Sequence, residues 1–169
     1  MRLFVGLPFS LEVQRKFLPA QQGLEKAAVK GNFTAAGNFH LTLAFLGEVE
    51  DSLLPHAFAA LESAPMGPVS LSFRRLDFFE GGVCYLAPDP CPPLSQGQER
   101  LALALREQGL FLERRPFTPH VTLGRKLVFR EGHVPSQSLF PPIQTVSEGA
   151  QLFLSHRVDG VLRYDILRP

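Results

Sequence analysis

Two segments placed eighty residues apart constrain this chain more than any other feature. NFHLTLAFLGEV and RPFTPHVTLGR each read as a β-strand that carries His-x-Thr behind a phenylalanine-bearing loop. Side chains alternate along a strand, so His40 and Thr42 share one face, with Leu41 and Leu43 on the other. The same parity sets His120 beside Thr122 and turns Val121 and Leu123 toward a core. Only five of the 169 residues are threonine, so a given histidine meets one two positions on about 3% of the time, and two of five histidines doing so is roughly a 1% coincidence. The repetition predicts two related lobes, each presenting an imidazole and a hydroxyl to a common surface.

The intervening sequence fills out an α+β class. A short apolar strand, RLFVGL, precedes a helix from residue 10 to about 24, N-capped by Ser10 and broken or kinked at Pro19. GNFTAAGN reads as a loop. A second helix spans 51–64, and 69–73 with 83–87 reads as two antiparallel strands around Gly81-Gly82. A third helix covers 95–108, and strands at 144–155 and 161–167 are joined across Asp159-Gly160, a hairpin signal. Residues 131–142, with three prolines, are expected to be a loop. The chain is 45% hydrophobic and 20% charged, as expected of one domain over 1–169 that folds unaided.

Several function classes lose support. No apolar run reaches the ~18 residues of a membrane span, and the N-terminus has no signal-peptide pattern, so a cytoplasmic location and no membrane partner are expected. Cys84 and Cys91 match neither a metal-ligand spacing nor a redox pair and read as free thiols. HExxH, carboxylate clusters and glycine-rich phosphate loops are missing, which argues against metal, P-loop and dinucleotide sites. A net charge of +1 gives no basic stripe for long nucleic acid but leaves short or terminal RNA open. His56, His133 and His156 have no companion at ligand spacing and read as surface residues.

A pair of imidazoles suits phosphoryl chemistry. With an ordinary pKa near ~6.5, one ring can serve as base beside an attacking water and the other as acid beside the leaving oxygen. Thr42 and Thr122 would donate to the non-bridging oxygens, where charge must be stabilised.

The sequence resembles the two-histidine (2H) phosphoesterases, and most closely the bacterial RNA 2′,3′-cyclic phosphodiesterases, historically called 2′-5′ RNA ligases. RLFVGLP, NFHLTLAFLGEV, RPFTPHVTLGR and the terminal RYDIL carry the likeness over nearly the whole chain. It implies a bilobal fold, two pseudo-symmetric antiparallel sheets with outer helices around a central cleft. It also implies catalysis without metal or cofactor, and conversion of a 2′,3′-cyclic phosphate at an RNA end to a 2′-phosphate. The family roles fall on His40 as proton donor to the leaving O3′ and His120 as proton acceptor from water. The resemblance further assigns phosphate contact to Arg125. Strict alternation puts Arg125 on the wrong face, so that role requires the strand to bend or end at Gly124.

Phe4, Phe9 and Phe39 are candidates to stack on a base, and Arg74, Arg75, Arg114 and Arg115 to fringe the cleft. A monomer is expected. Two alternatives stay open: ATP-independent 2′-5′ ligation by the same site, and a nucleotide-binding module without catalysis.

Overall fold

The computed structural model describes residues 1–131 and 140–169; His133 lies outside them. In chain order the elements are β1 (Arg2–Pro8), α1 (Leu11–Ala27), β2 (Ala28–Phe33), β3 (His40–Glu48), α2 (Leu54–Ser63), β4 (Ser70–Phe79), β5 (Val83–Pro88), α3 (Pro92–Glu107), β6 (Val121–Phe129), β7 (Ile143–Val146), β8 (Gln151–Val158) and β9 (Val161–Leu167). All strand pairs are antiparallel.

The strands run in the order β7-β4-β5-β6-β3-β1-β8-β9, with β2 added on β6. The two halves, β7-β4-β5-β6 and β3-β1-β8-β9, meet at a single register pair, Leu41 opposite Val121. Each half thus ends on one His-x-Thr strand, and those two strands abut. Leu41 and Val121 are fully buried, which leaves the flanking His40, Thr42, His120 and Thr122 directed to the opposite face. This is the expected α+β bilobal arrangement.

Local differences from the sequence reading have physical causes. Helix α1 runs unbroken through Pro19. Pro19 is exposed, so the carbonyl it leaves without a partner can take water instead. Strand β4 extends to Phe79 because a register shift between Phe73 and Arg75 absorbs Arg74, which interrupts the alternation. The expected strand at 144–155 divides: β7 joins β4, whereas β8 joins β1 in the other half. Its crossing is held by Val69 N to Ser147 Oγ (3.1 Å) and Ala150 N to Met66 O (2.8 Å). The first three residues of the stretch read as a loop, 31–33, instead complete β2, an edge strand without apolar alternation.

Val13, Phe17, Ala20 and Leu24 of α1 and Leu94, Leu101 and Leu105 of α3 bury their inner faces in the same apolar cluster as Leu3, Leu41, Phe73 and Val121. Among the described residues no helix is long and apolar enough to cross a membrane. Cys84 and Cys91 are free thiols.

Candidate active site

In an antiparallel pair, the neighbours of two opposed residues are themselves opposed in crossed order. With Leu41 opposite Val121, His40 therefore stands across from Thr122 and Thr42 across from His120. The four side chains form a diamond about a local two-fold axis.

Each imidazole is anchored by its own chain. His40 Nδ1 lies 2.7 Å from Asn38 O and His120 Nδ1 lies 2.7 Å from Thr118 O. A carbonyl can only accept, so Nδ1 carries hydrogen in both rings and Nε2 is the atom that gains or loses the proton. Asn38 is itself tied to the β8–β9 hairpin through Nδ2 to Leu162 O, 2.9 Å. His40 Nε2 is 3.0 Å from Thr42 Oγ1, which donates to it when the ring is neutral.

Aromatic rings enclose both histidines. Phe4, Tyr164 and Phe153 lie 4.7, 5.0 and 5.9 Å from the His40 ring. Phe79 and Tyr85 lie 5.0 and 5.4 Å from that of His120. Burial among them lowers the His40 pKa to about 4, and the charges of His120 and Arg125 add to the effect against the opposing Asn38 hydrogen bond. Burial also lowers the His120 pKa, with Arg125 acting in the same sense. Both shifts favour the neutral imidazole.

Arg125 reaches the site by a route that strict alternation hides. Tyr85 pairs with Thr122 and Cys84 with Gly124, so Leu123 is an extra residue in β6. That bulge lies one residue before the expected break and reverses the parity beyond it. Gly124 turns to the core side, where a Cβ would meet the Leu127 side chain at 3.1 Å. Arg125 returns to the cleft and, with His120 and Thr42, lines a cavity of about 690 Å³. A smaller cavity of about 280 Å³ adjoins His40, Tyr164 and Asn38.

The other sequence candidates divide between the site and the rest of the fold. Phe4 packs on His40, and Phe9 and Phe39 surround Phe17 in the core while also lining the smaller cavity. Arg74 pairs with Asp89 at 3.0 Å. Arg115 pairs with Glu113 at 3.3 Å and lines the larger cavity. His56 meets Gln108 at 3.2 Å and His156 meets Asp165 at 2.6 Å. Phe45, Phe79, Tyr85 and Tyr164 were not singled out by the sequence, because strand aromatics are ordinarily core.

A protein-family model described as the 2′-5′ RNA ligase superfamily matches residues 24–152. The chain belongs to that superfamily. The two-histidine phosphoesterase resemblance read from its motifs is thus borne out. A relative named RNA 2′,3′-cyclic phosphodiesterase, from Bacillus subtilis, is 29% identical over 128 residues, covering 70% of this chain and 69% of its own. One of the same name from Thermotoga maritima is 26% identical over 163 residues, covering 92% and 87%. The crystal structure of E. coli LigT complexed with 3′-AMP superposes with a TM-score of 0.81 at 25% identity, covering 99% of this chain and 95% of that one.

Proposed function

We propose that this chain is a phosphodiesterase that hydrolyses 2′,3′-cyclic phosphate ends of RNA to 2′-phosphates, without a metal, by paired histidine acid–base catalysis. The observation that carries the reading is the crossed register of the two motifs. It supports the reading because an antiparallel crossing relates the two motifs by a local two-fold axis, and in-line displacement calls for a base and an acid on opposite sides of phosphorus. The names of the two bacterial relatives support the substrate class.

His120 removes a proton from water as its oxygen bonds to phosphorus. The P–O3′ bond breaks on the opposite side, and His40 delivers a proton to O3′. Thr42, Thr122 and Arg125 hold the non-bridging oxygens, the guanidinium by paired hydrogen bonds. For Thr42 this means releasing His40 Nε2 when the phosphate enters. The arrangement offers the phosphate imidazoles, hydroxyls and a guanidinium, groups that donate hydrogen bonds to its oxygens, the guanidinium also offsetting its charge. The same groups run in reverse would join a cyclic end to a hydroxyl, but water in bulk favours hydrolysis. We take the chain to act as a monomer in the cytoplasm, where Cys84 and Cys91 would persist as the thiols seen here.

The test is to incubate chelator-treated protein with an RNA ending in a 2′,3′-cyclic phosphate, alongside His40→Ala and His120→Ala, and identify the end formed. A 2′-phosphate made by wild type and lost in each variant is expected. No turnover, or turnover unchanged in both variants, would leave a nucleotide-binding module instead.

A further inference from the structure

The bulge that returns Arg125 to the cleft has a counterpart on the other motif. Val5 pairs with Ala44 and Gly6 with Thr42, so Leu43 is an extra residue in β3, as Leu123 is in β6. Both lie three positions after the histidine. The parity reversal that delivers Arg125 to the cleft therefore delivers Phe45 as well, and both line the larger cavity.

An extra residue in a ladder leaves its carbonyl out of step with the neighbouring strand, and a carbonyl so displaced needs a partner. In both bulges a glutamine side chain donates to that carbonyl, alongside Thr34 N at 2.9 Å in the case of Leu123 O. Gln21 Nε2 donates to Leu123 O at 2.8 Å and to Thr34 O at 2.7 Å. Gln98 Nε2 donates to Leu43 O at 3.1 Å. Gln21 is 8% exposed, although a free amide is ordinarily a surface group. It comes from α1, the helix before the first motif, yet grips the second; Gln98 comes from α3, the helix before the second motif, and grips the first. The two clamps are reciprocal and cross the junction at Leu41 and Val121.

We propose that Gln21 and Gln98 are positioning residues of the active site. Each holds the bulge behind one His-x-Thr motif in the conformation that turns Arg125, or Phe45, into the cleft. The inference rests on the reading of Arg125 as a phosphate ligand, and it concerns how that ligand is placed.

Gln21→Met keeps the length of the side chain and removes the donors. We expect it to lower kcat/KM for a nucleoside 2′,3′-cyclic phosphate by about tenfold in the wild-type background, but by less than about twofold when Arg125 is already Met, since a residue acting through another adds nothing once that other is gone. Gln98→Met should keep its full effect in the Arg125→Met background and lose it beside Phe45→Ala. A solely structural role would give effects that multiply in every background. Binding of inorganic phosphate, followed by calorimetry, gives a readout independent of turnover: Gln21→Met and Arg125→Met should weaken it to the same extent and no further together. If no cyclic phosphate is hydrolysed, the functional reading falls while this measurement still decides the clamp. Should the methionine variant not fold, Gln21→Glu replaces it: its neutral carboxyl can donate one hydrogen bond and its ionised form none, so activity relative to wild type should fall as that carboxyl ionises. Multiplicative losses with Arg125→Met, undiminished phosphate binding in Gln21→Met, or a pH-independent ratio for Gln21→Glu would overturn the proposal.

Discussion

The pH dependence of the reaction follows from the electrostatics of the cleft. In the proposed mechanism the competent free enzyme carries a proton on His40 and none on His120. His40 has its pKa lowered to about 4 by burial, by His120 and by Arg125, so at pH 7 only about one free molecule in a thousand holds that proton. His120 is lowered as well, and both limbs of the kcat/KM profile must fall below the ~6.5 of an ordinary imidazole. The bell should be flat between the two pair values and decline tenfold per pH unit above the upper one. At pH 7.5, kcat/KM should therefore be lower than its maximum by about tenfold or more. A bound phosphate anion opposes these shifts, because a nearby negative charge favours the imidazolium. The kcat profile, which reports the complex, should accordingly have its optimum at higher pH than kcat/KM. The assay is initial-rate hydrolysis of a cyclic-phosphate RNA from pH 4 to 9, resolved into kcat and kcat/KM, with circular dichroism to verify folding at each pH. A kcat/KM plateau from pH 7 to 9, or coincident optima for the two parameters, would refute the reasoning.

Further outcomes are expected from the same geometry. Replacing the bridging O3′ of the cyclic phosphate by sulfur supplies a leaving group that needs no proton; this substrate should restore most of the activity of His40→Ala and none of that of His120→Ala, and the converse would exchange their roles. Arg125→Met should lower kcat/KM by about 10- to 100-fold, and Arg125→Lys should recover only part of it, since an ammonium lacks the paired donors. Stability should respond to pH through His40. Its folded pKa lies below the unfolded value, so its contribution is full above ~6.5 and is lost as pH falls toward 4, by up to about 3 kcal/mol. Urea unfolding of His40→Gln should lack that component, and an identical pH dependence in the variant would assign it elsewhere.

The sequence made the His40–His120 pair legible because strand alternation and a repeated His-x-Thr are local patterns. The α+β class followed from the periods of α1, α2 and α3 and the Asp159-Gly160 hairpin in the same way. Bulges are not legible in this manner. An extra residue such as Leu43, Arg74 or Leu123 is defined only by the strand opposite, and alternation continues past it on paper. Gly124 signalled that β6 needed local freedom, but the irregular residue is Leu123. The division of 144–155 between two halves was hidden because both parts are apolar strands. Their different partners, β4 and β1, are set by long-range pairing. The glutamine clamps left no signal at all, since an isolated glutamine on a helix reads as a solvated side chain.

The local two-fold symmetry accounts for two similar imidazole sites but not for the different tasks proposed for them. The bulges put positions 45 and 125 in equivalent places, and these hold phenylalanine and arginine. Only the second strand thus turns a positive group inward from that place. The corresponding ring on the first strand has the Arg2 guanidinium over it, 5.1 Å from its centroid. A phosphate drawn to Arg125 is therefore placed off the symmetry axis, toward the strand that carries His120. In the proposed mechanism that offset sets His120 beside the attacking water and His40 beside the leaving O3′. The aromatic enclosures reinforce the distinction, since burial weighs most heavily in lowering both rings and His40 has three rings around it where His120 has two. His40 is thus the group whose charge depends most on the arrival of an anion. An acid that acquires its proton as the phosphate binds is available when the P–O3′ bond breaks and is largely neutral when the cleft is empty.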